Sequence, residues 1–359
     1  MSFSYAEKST PFVLSPDSLD EHLARGWYRM GASIFTTHFL FFNRRPFSAI
    51  WIRVDLQNFR FSKSQRKLLR RNAQFFETDA RPRVIDGERE ELYERYMQDF
   101  DGRLSPSISD SLEDYGESSV FSTYETTVRE RVSGKLVAVS YFDLGNTSAA
   151  SILGVYDPEL KSFSLGYYTM LLEVQYCLDN GLRYYYPGYV VPGYDRFDYK
   201  LRIGPSQYFD IQTESWPAFS RDTIYAEGPI EIQRARLQHL IDNLAEAGVE
   251  RTLLVYPLFE ADLYDMWNST YVPYPYLIYL GNSGNGDPIV LAFDPKVRQF
   301  IILACEHAVQ PQLLFNANYL TSFTEGNFYT QLLSIRAALY HTASLEIITA
   351  TVLRGLRQI

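Results

Sequence analysis

The spacing of apolar positions changes period twice across one central stretch of this chain. Ile152–Tyr156 and Leu182–Val191 are apolar and aromatic runs of strand length. Between them, Ser164–Asn180 places Tyr167, Leu171, Val174 and Leu178 at i, i+4, i+7 and i+11, the spacing of one helical face. Asp157-Pro158 ends the first strand, because proline brings no N–H to a ladder. Asn180-Gly181 closes the helix, and Pro187-Gly188 breaks the second run. Strand, helix and parallel strand make a crossover unit, whose ligands sit at the carboxyl ends of the strands. That end carries Gly188, Tyr189, Tyr194, Arg196, Tyr199, Lys200 and Arg202.

The flanking patterns predict three units. Residues 1–60 read as short strands and one helix around Leu19–Ala24 with an aromatic core. Residues 61–220 hold the crossover unit, a helix over Gly87–Phe100, a polar mobile loop over 101–119, and a hairpin of Val120–Arg131 and Lys135–Phe142 turning at Ser133-Gly134. Residues 221–359 start with an amphipathic helix over Glu231–Ala247. Strands over Thr252–Tyr256 and Tyr276–Leu280 follow, then a hairpin of Pro288–Phe293 and Gln299–Ala304, and a long helical stretch over Phe328–Arg357. That last unit carries no chemical signature.

Composition narrows the class. The 359 residues carry a net charge of −9, which argues against nucleic-acid binding by the whole surface but leaves room for one basic patch. Two cysteines make no disulfide framework and point to a reduced compartment. No run reaches the roughly 18 apolar residues of a membrane span, and the amino terminus lacks a signal-peptide design. A cytoplasmic protein is expected. The five histidines are scattered, so no metal site is expected. G-x-S-x-G, P-loop and G-x-G-x-x-G motifs are absent. Ser164 and Gly166 open the central helix, where N–H groups hold anions, although a plain N-cap serine is the simpler use of Ser164. Asp157 stands as a candidate base, or as a turn former.

The sharpest charge pattern is Arg60–Asn72. Lys63, Arg66, Lys67, Arg70 and Arg71 follow i, i+3, i+4, i+7, i+8 and fall within an arc of about 140°. Ser62 and Gln65 fit a capping box. Like charges on one face repel, and the segment holds no acid. Phosphates supply the missing counter-charge in one reading; in the other the face is solvated and pairs with acids elsewhere.

Taken together, SKSQRKLLRRN (62–72), YDP with SLGYY (156–168), GLRYYYPGY (181–189) and RFDYKLRIGP (196–205) resemble the arginyl-tRNA–protein transferases and the bacterial aspartate/glutamate leucyltransferases of the same family. GWYRMG (26–31), Arg53 and Phe59 resemble elements of the family's amino-terminal domain. The chain departs from the pattern where the family has a cysteine cluster, at Ala150 and Leu153, and at Gln207 in place of a glutamate.

The resemblance implies an α+β fold: a GNAT-type acyltransferase domain, a small N-terminal α+β domain and an extra C-terminal α/β domain. It implies transfer of Arg or Leu from aminoacyl-tRNA, the co-substrate, to the α-amino group of proteins with N-terminal Asp or Glu, with no cofactor. Lys63, Arg66, Lys67, Arg70, Arg71, Lys200 and Arg202 are then expected at the tRNA, and Arg29, Arg53, Ser164, Gly166 and Tyr189 at the substrates. Asp157, Tyr199 and Lys200 are the candidates for catalysis. Two other readings stay open: an acyl-CoA-dependent N-acyltransferase, and a non-catalytic descendant that binds RNA or protein.

Overall fold

In the computed structural model, the residues described are 4–100, 102, 104–113, 120–264, 270–308, 310–323 and 326–356. The elements run β1 (Ala6–Ser9), α1 (Pro16–Ala24), β2 (Tyr28–Met30), β3 (Ser33–Thr37), β4 (Phe39–Phe42), β5 (Arg45–Ser48), β6 (Ile50–Asp55), α2 (Lys63–Asn72), β7 (Phe76–Pro82), α3 (Gly87–Asp99) and α4 (Ile108–Leu112). The hairpin β8 (Thr123–Glu130) and β9 (Leu136–Leu144) leads into β10 (Ser148–Tyr156), α5 (Leu165–Asp179) and β11 (Tyr184–Val190), with a 3-10 turn at Asp195–Arg202 before β12 (Gln207–Tyr208). The remainder holds α6 (Arg221–Glu227), α7 (Pro229–Glu246), β13 (Leu253–Val255), β14 (Tyr276–Asn282), β15 (Pro288–Asp294), β16 (Gln299–His307), α8 (Ala317–Leu320), β17 (Leu333–Thr342) and α9 (Leu345–Leu356).

The architecture is α+β. A seven-stranded sheet ordered β12-β6-β11-β10-β9-β8-β7 forms the centre. Its neighbours are antiparallel except β10 and β11, the pair that α5 connects. Helix α5 buries Tyr167, Leu171 and Val174 against Val54, Phe142 and Tyr185 on one face. Helix α3 covers Tyr141 and Val155 on the other. Strand β6, which comes from the first sixty residues, is part of this sheet. The C-terminal sheet, β13-β14-β15-β16-β17, mixes with helices α7 and α9 as expected, but its strands are antiparallel throughout. The amino-terminal strands lie against it: the Tyr5 hydroxyl donates to Asp294 at 2.5 Å, and Ser48 donates to Glu231 at 2.7 Å.

Two sequence expectations need correction. The stretch over Phe328–Arg357 is not one helix. Leu333–Thr342 forms edge strand β17, paired to β16, and α9 begins after Ser344, whose hydroxyl accepts from the Ile347 N–H at 3.1 Å. Pairing with a neighbouring strand overrides the helix propensity of the Arg-Ala-Ala-Leu window, and Ser344 is the cap that marks the true start. The run at Leu182–Val191 is not broken at Pro187-Gly188 either. Strand β11 passes through both, with its register on β6 shifting between Tyr185 and Gly188. Of the stretch expected as a mobile loop, 108–112 is helix α4, while 101, 103 and 114–119 lie outside the described residues, as does Arg357.

Helix α2 shows how the basic segment is held. Its capping box is present at Ser62 and Gln65. The buried Gln65 amide then reaches out of the helix, donating to the Tyr167 hydroxyl at 2.9 Å and to the carbonyls of Arg202 and Ile203 at 2.9 and 2.8 Å. At the other end Asn72 donates to the Phe163 carbonyl at 2.9 Å. Two neutral amides thus clamp α2 across the first half of α5, and the cations face outward. Gln65→Ala takes the donor from the Ile203 carbonyl, while the Arg202 carbonyl keeps the Tyr167 hydroxyl at 2.7 Å, so we expect about 1–3 kcal/mol of lost stability, read as a lower urea midpoint at an unchanged m-value.

Candidate active site

The site is built on a fork. Strands β10 and β11 pair in parallel only at Ser148–Ala150 with Tyr184–Tyr186. Beyond that point they part, and the Tyr28 hydroxyl stands between them, bonded to the Ser151 carbonyl at 2.6 Å and the Tyr186 carbonyl at 2.5 Å. One phenolic proton serves two carbonyls that have lost their ladder. Tyr28 is held there by stacking on Trp51, with centroids 5.0 Å apart and planes 27° apart. Pro187 is tolerated in β11 because it falls where the β10 ladder has ended. Gly188 follows at φ +98°, and a Cβ there would lie 3.0 Å from Lys200 Nζ. Only glycine allows both that backbone angle and that approach.

Lys200 itself donates to the Tyr189 carbonyl at 3.1 Å, with Nζ 5.3 Å from the Tyr189 ring centroid and 5.0 Å from that of Phe197. Burial pushes its ammonium down to about 7. It has no carboxylate partner among the described residues, which fits an amine that gives up its proton near neutrality. On the α5 side of the fork lies Glu173, fully buried and accepting from the Tyr185 hydroxyl at 2.6 Å. Burial raises its carboxyl to about 7, with Tyr185, Ser140 and Ser151 opposing. Tyr199, 39% exposed, feels the Glu173 charge at the rim of the same region.

The other expected residues fall into three groups. The first keeps its place beside the fork. Lys63, Arg66, Lys67 and Arg70 are exposed on α2, and among the described residues none of them pairs with a carboxylate. Arg66 and Arg70 touch only backbone carbonyls, those of Phe61 and Arg66. Arg202 lies 4.6 Å over the Tyr167 ring, and its carbonyl anchors Gln65, so the basic face begins next to the Lys200 turn. Arg71 is partly committed, donating to the Ser162 carbonyl at 3.0 Å.

The second group is removed. Arg29 does not reach the mouth. It is buried, its guanidinium shared among Asp143 at 2.8 Å, Thr123 at 2.8 Å and the carbonyls of Gly31 and Leu112. Asp157 is no base. It is buried, caps the following turn through the Glu159 N–H at 3.1 Å and holds Lys135 at 2.9 Å. Burial alone would raise its carboxyl, but the Lys135 and Glu159 hydrogen bonds outweigh it and hold the group below the usual range. Ser164 is exposed at φ +52° and makes no side-chain cap, contrary to the plain N-cap reading. Gly166 is backed by the Tyr156 ring, 3.0 Å from where a Cβ would sit.

The third group lies among aromatic rings of β6 and β11. Arg53 is half-buried between Tyr184 at 4.1 Å and Trp216 at 4.6 Å, donating to Gln207 at 2.7 Å. Gln207 therefore still accepts from this arginine where the family has glutamate. Tyr189 packs edge-on against Trp51 at 5.1 Å.

Tyr28, Glu173 and Tyr185 were not singled out from the sequence. Glu173 had a signal, as the one acid among buried positions of an otherwise apolar helix. Tyr28 lay inside the GWYRMG motif, but nothing local assigns it to a strand pair more than 120 residues away.

Residues 88–210 match the family model described as arginine-tRNA-protein transferase, C terminus. Over that segment the chain is similar to this family. Similar curated proteins are aspartate/glutamate leucyltransferases. That of Leptospira interrogans is 28% identical over 164 residues, covering 43% of this chain and 61% of the relative. That of Ruegeria pomeroyi is 31% identical over 158 residues, covering 42% and 56%. That of Vibrio cholerae is 27% identical over 199 residues, covering 55% and 82%. The chain thus spans about three fifths of the length of the first two. The crystal structure of FemX aligns at a TM-score of 0.33 and 12% identity, over 54% of this chain and 65% of FemX. No helix among the described residues is long and apolar enough to cross a membrane, and no group of metal-ligating side chains is found among them.

Glu173 gives a pH test of the buried network. Its carboxyl rises from the ordinary 4.5 to about 7, so the folded state holds a proton that the unfolded state releases. That stability is present below pH 4.5 and lost as pH rises through 7. Glu173→Gln removes the dependence: wild type should lose up to about 3 kcal/mol relative to the variant between pH 5 and 8, measured by paired urea titrations.

Proposed function

We propose that the chain is an aminoacyl-tRNA–protein transferase that moves Arg or Leu to the α-amino group of acceptors beginning with Asp or Glu. The observation that carries this reading is the half-buried Lys200 amine beside the parted strands, next to a basic helical face without acid partners among the described residues.

The chemistry needs little more. The donor ester is already activated, so positioning contributes most, about 7–11 kcal/mol for a well-held pair. The acceptor amine, of pKa about 7.7–8.0, attacks the ester carbonyl. A C–N bond forms, the ester C–O bond breaks, and the terminal ribose hydroxyl leaves with a proton. Neutral Lys200 accepts the proton that the nitrogen sheds on attack by the free amine and passes it to the departing ribose oxygen. Lys63, Arg66, Lys67, Arg70 and Arg202 provide counter-charge for the acceptor-end phosphates, which would run along α2 toward the start of α5. With Arg29 committed to Asp143, Arg53 is the cation left for an acidic acceptor residue. The enzyme works in the cytoplasm in this reading and needs no cofactor.

The deciding assay offers tRNAs charged with labelled Arg or Leu to peptides beginning Asp, Glu or Ala, and follows label into peptide; no transfer from either donor overturns the proposal. Alanine at both Arg66 and Arg70 should weaken tRNA binding at every salt concentration and reduce the log–log salt slope by up to about 2; an unchanged slope takes α2 out of the site. Lys200→Met should cut the transfer rate by about 10²–10⁴. In wild type the rate should rise with pH through about 7, because the neutral amine is the active form. A variant that retains this rise assigns the proton to another group.

A further inference from the structure

A cavity of about 580 Å³ opens between β5, α6, α7 and β14, inside the range of about 300–1,000 Å³ for small-molecule sites. Apart from Pro192 and Gly193, which follow β11, its lining lies outside residues 88–210. Phe47 and Ile230, both buried, give it an apolar floor. Two exposed arginines from separate elements line it, Arg45 of β5 and Arg234 of α7. Arg45 lies 4.3 Å over the Phe47 ring, and neither guanidinium forms a hydrogen bond or ion pair among the described residues. The acids of the same lining are held by neutral donors: Glu231 accepts from Ser48 at 2.7 Å, and Asp242 from the Gln238 amide at 2.9 Å. Tyr276 of β14 adds a third group. It is only 8% exposed, yet its hydroxyl makes no hydrogen bond among the described residues. Burial raises this phenol, Glu231 adds to the rise, and the charges of Arg234 and Arg45 oppose it, so both cations act on the same hydroxyl. A buried hydroxyl without a partner is costly, and two cations beside one cavity repel unless an anion joins them. Two guanidinium forks and a phenol offer more donors than the two oxygens of a carboxylate can take. A phosphate monoester, with three terminal oxygens and about two charges, matches them, and its organic part covers the apolar floor.

We infer that Arg45, Arg234 and Tyr276 form a binding site for a small organic phosphate, with the phosphate on the two guanidiniums and the organic part over Phe47 and Ile230. The site stands apart from the proposed transfer chemistry: it holds whether or not the chain moves an amino acid, and binding alone is its readout. The full chain is titrated calorimetrically with phenyl phosphate, inorganic phosphate and phenol. Wild type should bind phenyl phosphate at least about tenfold more tightly than inorganic phosphate, an increment within reach of one buried ring, and should not bind phenol detectably. Arg45→Gln and Arg234→Gln, at exposed positions that tolerate change, should each weaken phenyl phosphate by about tenfold or more. Tyr276→Phe, which keeps the ring, should weaken it severalfold. Arg354→Gln, which replaces an exposed arginine of α9 outside the lining, should leave binding unchanged. Losses confined to the lining variants support the site. Phenyl phosphate that fails to bind, inorganic phosphate that binds equally tightly, or equal losses in Arg354→Gln and the lining variants overturn it. Uncharged tRNA is titrated in parallel. If tRNA binding weakens in both arginine variants while phenyl phosphate does not bind at all, the two arginines belong to a nucleic-acid surface and the small-molecule site is overturned.

Discussion

The site exists because two parallel strands separate after three residue pairs and one buried hydroxyl closes the gap. Carbonyls at the mouth of such a fork have left their ladder, and a buried acceptor without a donor costs about 1–3 kcal/mol. Tyr28 shares its proton between the Ser151 and Tyr186 carbonyls and is itself held by Trp51. The amino-terminal strands therefore do more than cover the sheet. They carry the group that lets β10 and β11 stay apart, and with it the freedom of Pro187 and Gly188 to sit in β11 and of Lys200 to approach.

Charge is arranged by neutral side chains. The capped helix α2 is fastened at both ends by amides, Gln65 and Asn72, which satisfy buried carbonyls without neutralising any cation. Elsewhere arginines are spent on internal carboxylates, Arg29 on Asp143 and Arg89 on Glu125. The contrast separates two uses of the same residue type. A buried pair is held because breaking it strands a charge, while an exposed row without acids stays available for an anionic partner.

Much of the fold was legible because its local signals agree with its tertiary packing. The α2 capping box, the α5 stripe closed by Asn180-Gly181, and the Ser133-Gly134 hairpin are all present. Errors arose where tertiary contacts outvoted local pattern. Arg29 looked like an available cation, but Asp143 on a distant strand had claimed it. Asp157 stood as a base or a turn former, and the structure gives it the second role, capping the Glu159 N–H and holding Lys135. The Phe328–Arg357 stretch read as helix until strand pairing with β16 claimed its first half.

By itself the sequence determined the helices, the crossover unit and the row of cations, because each depends on spacing over a few residues: period, caps and like-charge repulsion. It also carried enough spaced motifs to show a resemblance to a known family, whose model matches residues 88–210. Only the tertiary structure decided which ionisable groups are buried and beside what. Lys200 becomes an amine near neutrality because Gly188 lets it lie against β11, and Glu173 is pushed toward its protonated form because α5 buries it against the sheet, in opposition to the Tyr185 hydrogen bond. Those outcomes follow from desolvation by residues far away along the chain, a quantity that no local window of sequence contains.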